Sequence, residues 1–250
     1  MEYMTKEQIK KHKIAAEKLD QIKNRVFKFI RKNIGKVSEY EVSQFILSEF
    51  KKQGLVGEKQ YPYPIVAVNK NSSVVHHFPK KQKADIINNN SLVMLDIWAR
   101  LKEKNAPFAD ITWMGYAGKN VPREIEKAFN KVVKAQSIAL NFIKKNLKSR
   151  QLPKTKIIDK VARDYFKKYG LEKNFLHGLG HSLGMSECHG KYFRFGKKSQ
   201  AELKTEIPFT IEPGLYFKDK FGIRCEMDCY VTKDYKLVIT SKVQKQIIKT

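Results

Sequence analysis

The sequence predicts a mixed α/β (α+β) fold made of two successive halves around one core, each half running long helix, shorter helix, strands. Three observations lead there. Apolar residues recur at helical spacing in four separate stretches, and β-branched or aromatic runs follow each helical pair. The chain of 250 residues is 42% hydrophobic, enough to bury a sizeable core. The repeat lies in the order of the elements, and no residue-level repeat accompanies it.

From Lys6 to about Lys32, Ile9, Ile14, Leu19, Ile22, Val26, Phe29 and Ile30 form an apolar stripe opposite a lysine-rich face, which predicts a long amphipathic helix. Ser38 followed by Glu41 is a capping-box signature, and Val42, Phe45, Ile46 and Phe50 continue a second helix that should stop near Gly54. Strands are predicted over Tyr63 to Val68, Ser73 to His77, Leu92 to Leu101 and Ala109 to Trp113. Pro122 suits the first position of the next helix, which carries Ile125, Phe129, Val132, Val133, Ile138, Phe142 and Ile143 and ends near Leu147. A further helix over about Thr155 to Tyr169 is stopped by Gly170. A glycine-punctuated loop, His177 to Gly190, leads to strands near Pro208–Phe217, Gly222–Thr232 and Lys236–Thr240.

No apolar run approaches the roughly 18 residues of a membrane span, and MEYMTKEQIKKHK passes straight into charge without the apolar core of a signal peptide. Cys188, Cys225 and Cys229 cannot all pair within one chain, which fits a reducing compartment. A cytoplasmic protein is expected. The net charge of +25 raises the question of a polyanionic partner. Yet 42 of the 50 basic residues are lysine, spread as singlets and pairs over helix faces. That pattern suits solvation better than a dedicated groove, so nucleic-acid binding is expected to be weak and non-specific.

LVMLDIWARL sets Asp96 inside an apolar strand, and FADITWMG does the same with Asp110. A carboxylate there is costly unless paired, hydrogen-bonded or bound to a metal. In TIEPGLYF, Pro213 biases Glu212 to an extended backbone. In GIRCEMDCYV, strand alternation puts Arg224, Glu226 and Asp228 on one face and Cys225, Met227 and Cys229 on the other. The segment HGLGHSLGMSECHG adds three histidines. His177 and His181 are spaced as on a zinc-protease helix, but residue 178 is Gly rather than Glu and the glycines argue against a helix. Four acids with one imidazole form an oxygen-rich set suited to Mn, Fe, Co or Zn.

In LDIWAR through ADITWMGYAG, GLGHSLG, FTIEPGLY and FGIRCEMDCYV, in that order, the chain resembles the pita-bread metallopeptidases, the family of Xaa-Pro aminopeptidases, prolidases, methionine aminopeptidases and creatinases. The resemblance runs from the first helix to the last strand. It implies one pita-bread catalytic domain over residues 1–250, without the N-terminal domain that precedes it in the larger enzymes. It also implies two divalent ions, Mn foremost with Co, Fe or Zn as alternatives, held by Asp96, Asp110, His181, Glu212 and Glu226. Asp110 and Glu226 would bridge the ions. By the same analogy Glu212 handles the proton, His77 and His189 stabilise the tetrahedral intermediate, and His177 and Arg224 line the substrate pocket. Family members place the second catalytic histidine seven residues after the ligand histidine. Here that position holds Cys188 and the histidine comes at eight, so a bulge or loop between Gly184 and Glu187 is expected to turn His189 inward.

GIRCEMDCY resembles the Xaa-Pro branch and lacks the segment of methionine aminopeptidases. The implied activity is hydrolysis of the N-terminal Xaa-Pro bond of short peptides by a metal-bridged hydroxide, with proline at position two of the substrate. A homodimer is left open. The rivals are a methionine aminopeptidase and a catalytically silent pita-bread domain that binds peptide or RNA.

Overall fold

A computed structural model describes residues 3–61 and 64–250. Helix α1 (Lys6–Lys32) opens on a capping box in which Thr5 and Gln8 satisfy each other's backbone amides. Helix α2 (Glu39–Lys52) opens on the expected Ser38–Glu41 box, and the chain turns away at Gly54, where φ is +67°. Strands β1 (Leu55–Val56), β2 (Ile65–Val68), β3 (Ser91–Leu101) and β4 (Ala109–Ala117) follow. Tyr63, the first residue of one predicted strand, lies outside the described residues.

The centre of this half is the β3–β4 hairpin, antiparallel and in register over nine pairs from Ser91↔Ala117 to Ala99↔Ala109. β1 and β2 both pair with β3, and β12 (Ile248–Lys249) adds to β4 in parallel. Because strand side chains alternate, the two faces separate cleanly. Val93, Leu95, Ile97, Ala99, Ala109 and Ile111 pack under α1 and α2, with Leu19, Ile22 and Val26 wholly buried against them. Met94, Asp96, Trp98, Asp110, Thr112 and Met114 point the other way, toward the second half.

There α3 (Arg123–Lys148) begins one residue later than expected, with Pro122 as its N-cap, and α4 (Thr155–Lys167) follows, the chain leaving at Gly170 with φ +69°. The sheet runs β11 (Leu237–Ile239), β10 (Met227–Val231), β7 (Phe209–Ile211), β5 (Gly180–Leu183), β6 (His189–Phe195), and β8 (Gly214–Phe217) pairs with β9 (Phe221–Arg224) as a separate ribbon. Two long predicted strands are thus broken. Pro213, which has no amide to donate, separates β7 from β8, and Cys225 and Glu226 separate β9 from β10. At the second break the backbone amides leave the ladder: Cys225 donates to Pro213 O at 3.4 Å and Glu226 to Thr112 O at 3.1 Å.

Two predicted segments differ. Ser73–His77 is not a strand: Asn69–Ser73 forms a 3-10 turn whose Ser72 and Ser73 hydroxyls donate back to the carbonyls of Asn69 and Lys70, an alternative that short polar side chains offer the backbone. The predicted loop His177–Gly190 holds strand β5 and the first residues of β6. Its glycines are there for close backbone approach, since a Cβ on Gly178 would lie 1.9 Å from the Phe195 carbonyl oxygen. No helix among the described residues is long and apolar enough to cross a membrane.

Candidate metal centre

The hairpin and the broken strands meet around a cavity of about 250 Å³ whose wall includes Asp96, Asp110, His181, Glu212 and Glu226. Asp96 and Asp110 lie on one face because each sits cross-strand from a residue of that face, Asp96 from Thr112 and Asp110 from Trp98. Glu212 and Glu226 come from the two strand breaks, and His181 from β5. One ligand atom each from Asp110, His181 and Glu226 falls within 4.8 Å of the others, close enough to share one metal ion. Glu212 Oε1 is 3.5 Å from His181 Nε2, and Asp96 is paired with the guanidinium of Arg224.

A ring of hydroxyls and amides orients these groups. Thr112 donates to Glu226 Oε2 at 2.8 Å and accepts from Arg224 Nε at 3.1 Å. Thr210 donates to Glu212 Oε1 at 3.1 Å and accepts from the His181 amide at 3.1 Å. His181 Nδ1 faces the Ser182 carbonyl at 3.0 Å, so it must carry the proton there, which leaves the Nε2 lone pair directed at the carboxylates. Asp228 lies behind the cluster, accepting from the Asp110 amide at 2.9 Å, and does not line the cavity.

Burial pushes Asp110 and Glu226 well above the carboxylate range, and the neighbouring carboxylates push them further. Glu212 is raised to about 7, chiefly by burial, with Arg224 opposing and Asp96 adding. Burial lowers His181 to about 3, so it is neutral at pH 7. Asp110 Oδ1 is buried with no hydrogen-bond partner. In a chain of net charge +25, no lysine among the described residues pairs with any member of this cluster, and Arg224 is the only one of their lysines and arginines that does. An orphaned carboxylate oxygen, repelling acids and a neutral imidazole with a free lone pair fit divalent cations, which would remove the repulsion.

The histidines fall differently. His77 stands 3.0 Å from Glu39 Oε2 and does not line the cavity; its predecessor His76 does. The expected strand would have set the direction of His77, and the turn that replaces it presents His76 instead. Glu39 is fully buried and also accepts from the amides of Val68 and Asp85 and from Asn71, so His77 belongs to the anchor of this turn. His189 lines the cavity with its ring 4.1 Å from that of His181. The loop expected between Gly184 and Glu187 is present, and a register shift follows: His181 pairs with Arg194 while Leu183 pairs with His189. His189 and Arg194 are an odd number of residues apart, so a regular strand would send them to opposite faces, and the shift lets both reach the cavity. Cys188 points inward too, donating its thiol to Asp110 Oδ2 at 3.1 Å. His177 lines the wall, its Nε2 2.8 Å from the Tyr216 hydroxyl, which also receives Arg224 at 2.7 Å. Sequence reasoning missed His76, Glu58 and Arg194 on the cavity wall. Arg194 could have been found by its β6 pairing opposite His181, had the loop been read as a hairpin.

Residues 10–233 match the pattern of metallopeptidase family M24. The chain belongs to that family. An uncharacterized peptidase of Methanocaldococcus jannaschii is 34% identical over 91% of this chain and 60% of its own length. A putative Xaa-Pro aminopeptidase of Mycoplasma genitalium is 31% identical over 83% of this chain and 54% of its own. Among solved structures, a prolidase from Thermococcus sibiricus superposes with a TM-score of 0.84 at 29% identity, covering 100% of this chain and 62% of that one. The pita-bread fold expected above is the one found. This M24 chain spans a little over half the length of the curated relatives it matches, and its matched segment contains every carboxylate of the cluster.

Proposed function

We propose that this chain carries out divalent-metal-dependent hydrolysis of the N-terminal Xaa-Pro bond of short peptides. The observation that carries the reading is the cluster itself: buried acids with an orphaned Asp110 oxygen and a His181 lone pair, on the floor of a cavity, in an M24 chain. Asp96, Asp110, His181, Glu212 and Glu226 would hold two divalent ions, with Asp110 and Glu226 shared between them. Bound there, the ions would act as Lewis acids toward a peptide carbonyl and lower the pKa of water.

The remaining work falls to side chains of this chain. Glu212, raised to about 7, is poised to take up and return a proton near neutral pH. His189, on the rim beside His181, is placed to donate to a developing oxyanion, and His76 assumes the part expected of His77. Arg224 holds Asp96 and, with Tyr216 and His177, forms a fixed polar wall against which a substrate can be aligned. The Xaa-Pro preference is supported by the names borne by the Mycoplasma and Thermococcus relatives.

One observation favours dipeptides among such substrates. Arg194 reaches the cavity beside His181, and its guanidinium makes no ion pair or hydrogen bond among the described residues, so it is free to take a substrate carboxylate. With the protein reconstituted in Mn, Co, Fe or Zn, kcat/KM for Ala-Pro should exceed that for a matched Met-Ala-Ser peptide, and Ala-Pro should exceed Ala-Pro-amide. A higher kcat/KM for Met-Ala-Ser would favour a methionine aminopeptidase, and no turnover with any metal would favour the silent binding domain.

A further inference from the structure

The cavity wall carries a second acid that the metal cluster does not use. Glu58 is nine-tenths buried, at 9% exposure, and lines the cavity beside Cys188 and Trp98. Among the described residues no lysine, arginine or histidine forms an ion pair with it, although the chain has 50 basic residues to offer. Arg194 and Arg224 line the same cavity and neither pairs with it. Burial raises the Glu58 carboxyl, the Cys188 amide and the Trp98 indole pull it down, and the negative charge of Glu187 pushes it up again.

Three rings line the cavity with it. Tyr61 and Phe78 stack with centroids 5.3 Å apart and planes 6° apart, and Trp98 stands edge-on to both at 6.5 and 6.4 Å. All three rings and Glu58 face one volume. A carboxylate that has neutral donors but no cation beside it, set among aromatic faces, is the chemistry that recognises an organic cation: the faces attract it through their quadrupoles and exclude water, and the acid supplies the opposite charge.

We propose that Glu58, Tyr61, Phe78 and Trp98 form a cation subsite that binds an alkylammonium group of the peptide. It rests on the peptidase reading for the identity of the ligand, and it deepens that reading by naming what the substrate must carry. The subsite adjoins the metal cluster through two contacts: Cys188 lies next to Glu58 and donates to Asp110, and Trp98 is the cross-strand partner of Asp110. A cation held there belongs to the residue nearest the reacting bond, as its α-ammonium or as a lysine-like side chain.

Tryptophan fluorescence of the metal-loaded full chain, titrated with n-butylammonium and with 1-pentanol, separates charge from apolar contact. The ammonium should bind at least tenfold tighter. Glu58→Gln should erase that preference, and Phe78→Leu should reduce it while leaving Glu58 in place. Acetyl-lysinamide binding tighter than norleucinamide would assign the subsite to the side chain, and the reverse to the α-ammonium; either supports the proposal. Equal binding of ammonium and alcohol, or an undiminished preference in folded Glu58→Gln, overturns it. The probes contain no Xaa-Pro bond, so their outcome stands apart from the test of peptidase activity.

Discussion

The two halves bring acids to the same cavity by opposite means. Asp96 and Asp110 sit within an unbroken hairpin of nine paired positions, where alternation alone turns them toward the cavity and their neighbours toward α1 and α2. Glu212 and Glu226 sit where strands stop, at Pro213 and at the Cys225–Glu226 break. The regular half fixes a rigid floor, whereas the broken half frees backbone amides from the ladder and lets one segment hold the other, as Glu226 does through Thr112 O. A site that needs carboxylates converging from several directions cannot be built from parallel rows of alternating side chains alone.

The largest effect should come from removing one acid of each half. Asp110→Asn and Glu226→Gln should both lose at least one bound metal per chain by elemental analysis and bring hydrolysis to background. If Asp110→Asn lost metal and Glu226→Gln kept it, the halves would not share the ions as described. Core truncations separate the halves next. Leu95→Ala, on the helix-facing side of β3, should cost about 2–5 kcal/mol in denaturant unfolding and leave metal affinity nearly unchanged. Ile211→Ala, fully buried next to Glu212, should cost a similar amount and also weaken metal binding. Equal effects on metal affinity would erase the distinction between floor and moulded wall.

His189→Ala should lower kcat by about 10², as loss of an oxyanion donor does, while Cys188→Ala lowers it less than tenfold. A near-wild-type His189→Ala enzyme would leave that role to His76. The smallest effect is on stability against pH. Glu212, raised to about 7, stabilises the metal-free protein while protonated and loses that contribution as pH rises through about 7, and Asp110 and Glu226, also raised, act in the same direction. His12, His177 and His181 are depressed to about 4, 3 and 3, which costs stability only as pH falls below the ordinary histidine range. Between pH 6.5 and 8 the carboxylates therefore dominate: Tm of the metal-free protein should fall by a few degrees, and saturating divalent metal should abolish the fall and release protons on binding.

What was legible in the sequence follows the same division. Helices α1, α2, α3 and α4 and strand β3 are readable because their periodicity is local and unbroken, β4 is readable as far as Trp113, four residues short of its end at Ala117, and the acids stand out because they interrupt apolar runs. In the broken half the sequence pattern predicts longer strands and a loop. A proline or a glycine pair announces an interruption without telling where the backbone goes next, and the hairpin through Gly178 depends on contact with Phe195, which lies outside any local window. His76 and His77 are adjacent, and only the turn that Ser72 and Ser73 impose decides which of them meets the cavity. Glu58 has no local signal, since its place on the cavity wall comes from neighbours, Trp98 and Cys188, that are distant in sequence.

The most direct measurement is anomalous diffraction from crystals of the full chain soaked in Mn²⁺. Two peaks per chain are expected, both within coordination distance of the Asp110 and Glu226 carboxylates, with His181 Nε2 on one of them. An absence of peaks in this cavity at saturating metal, or a single ion that touches acids of only one half, would contradict it.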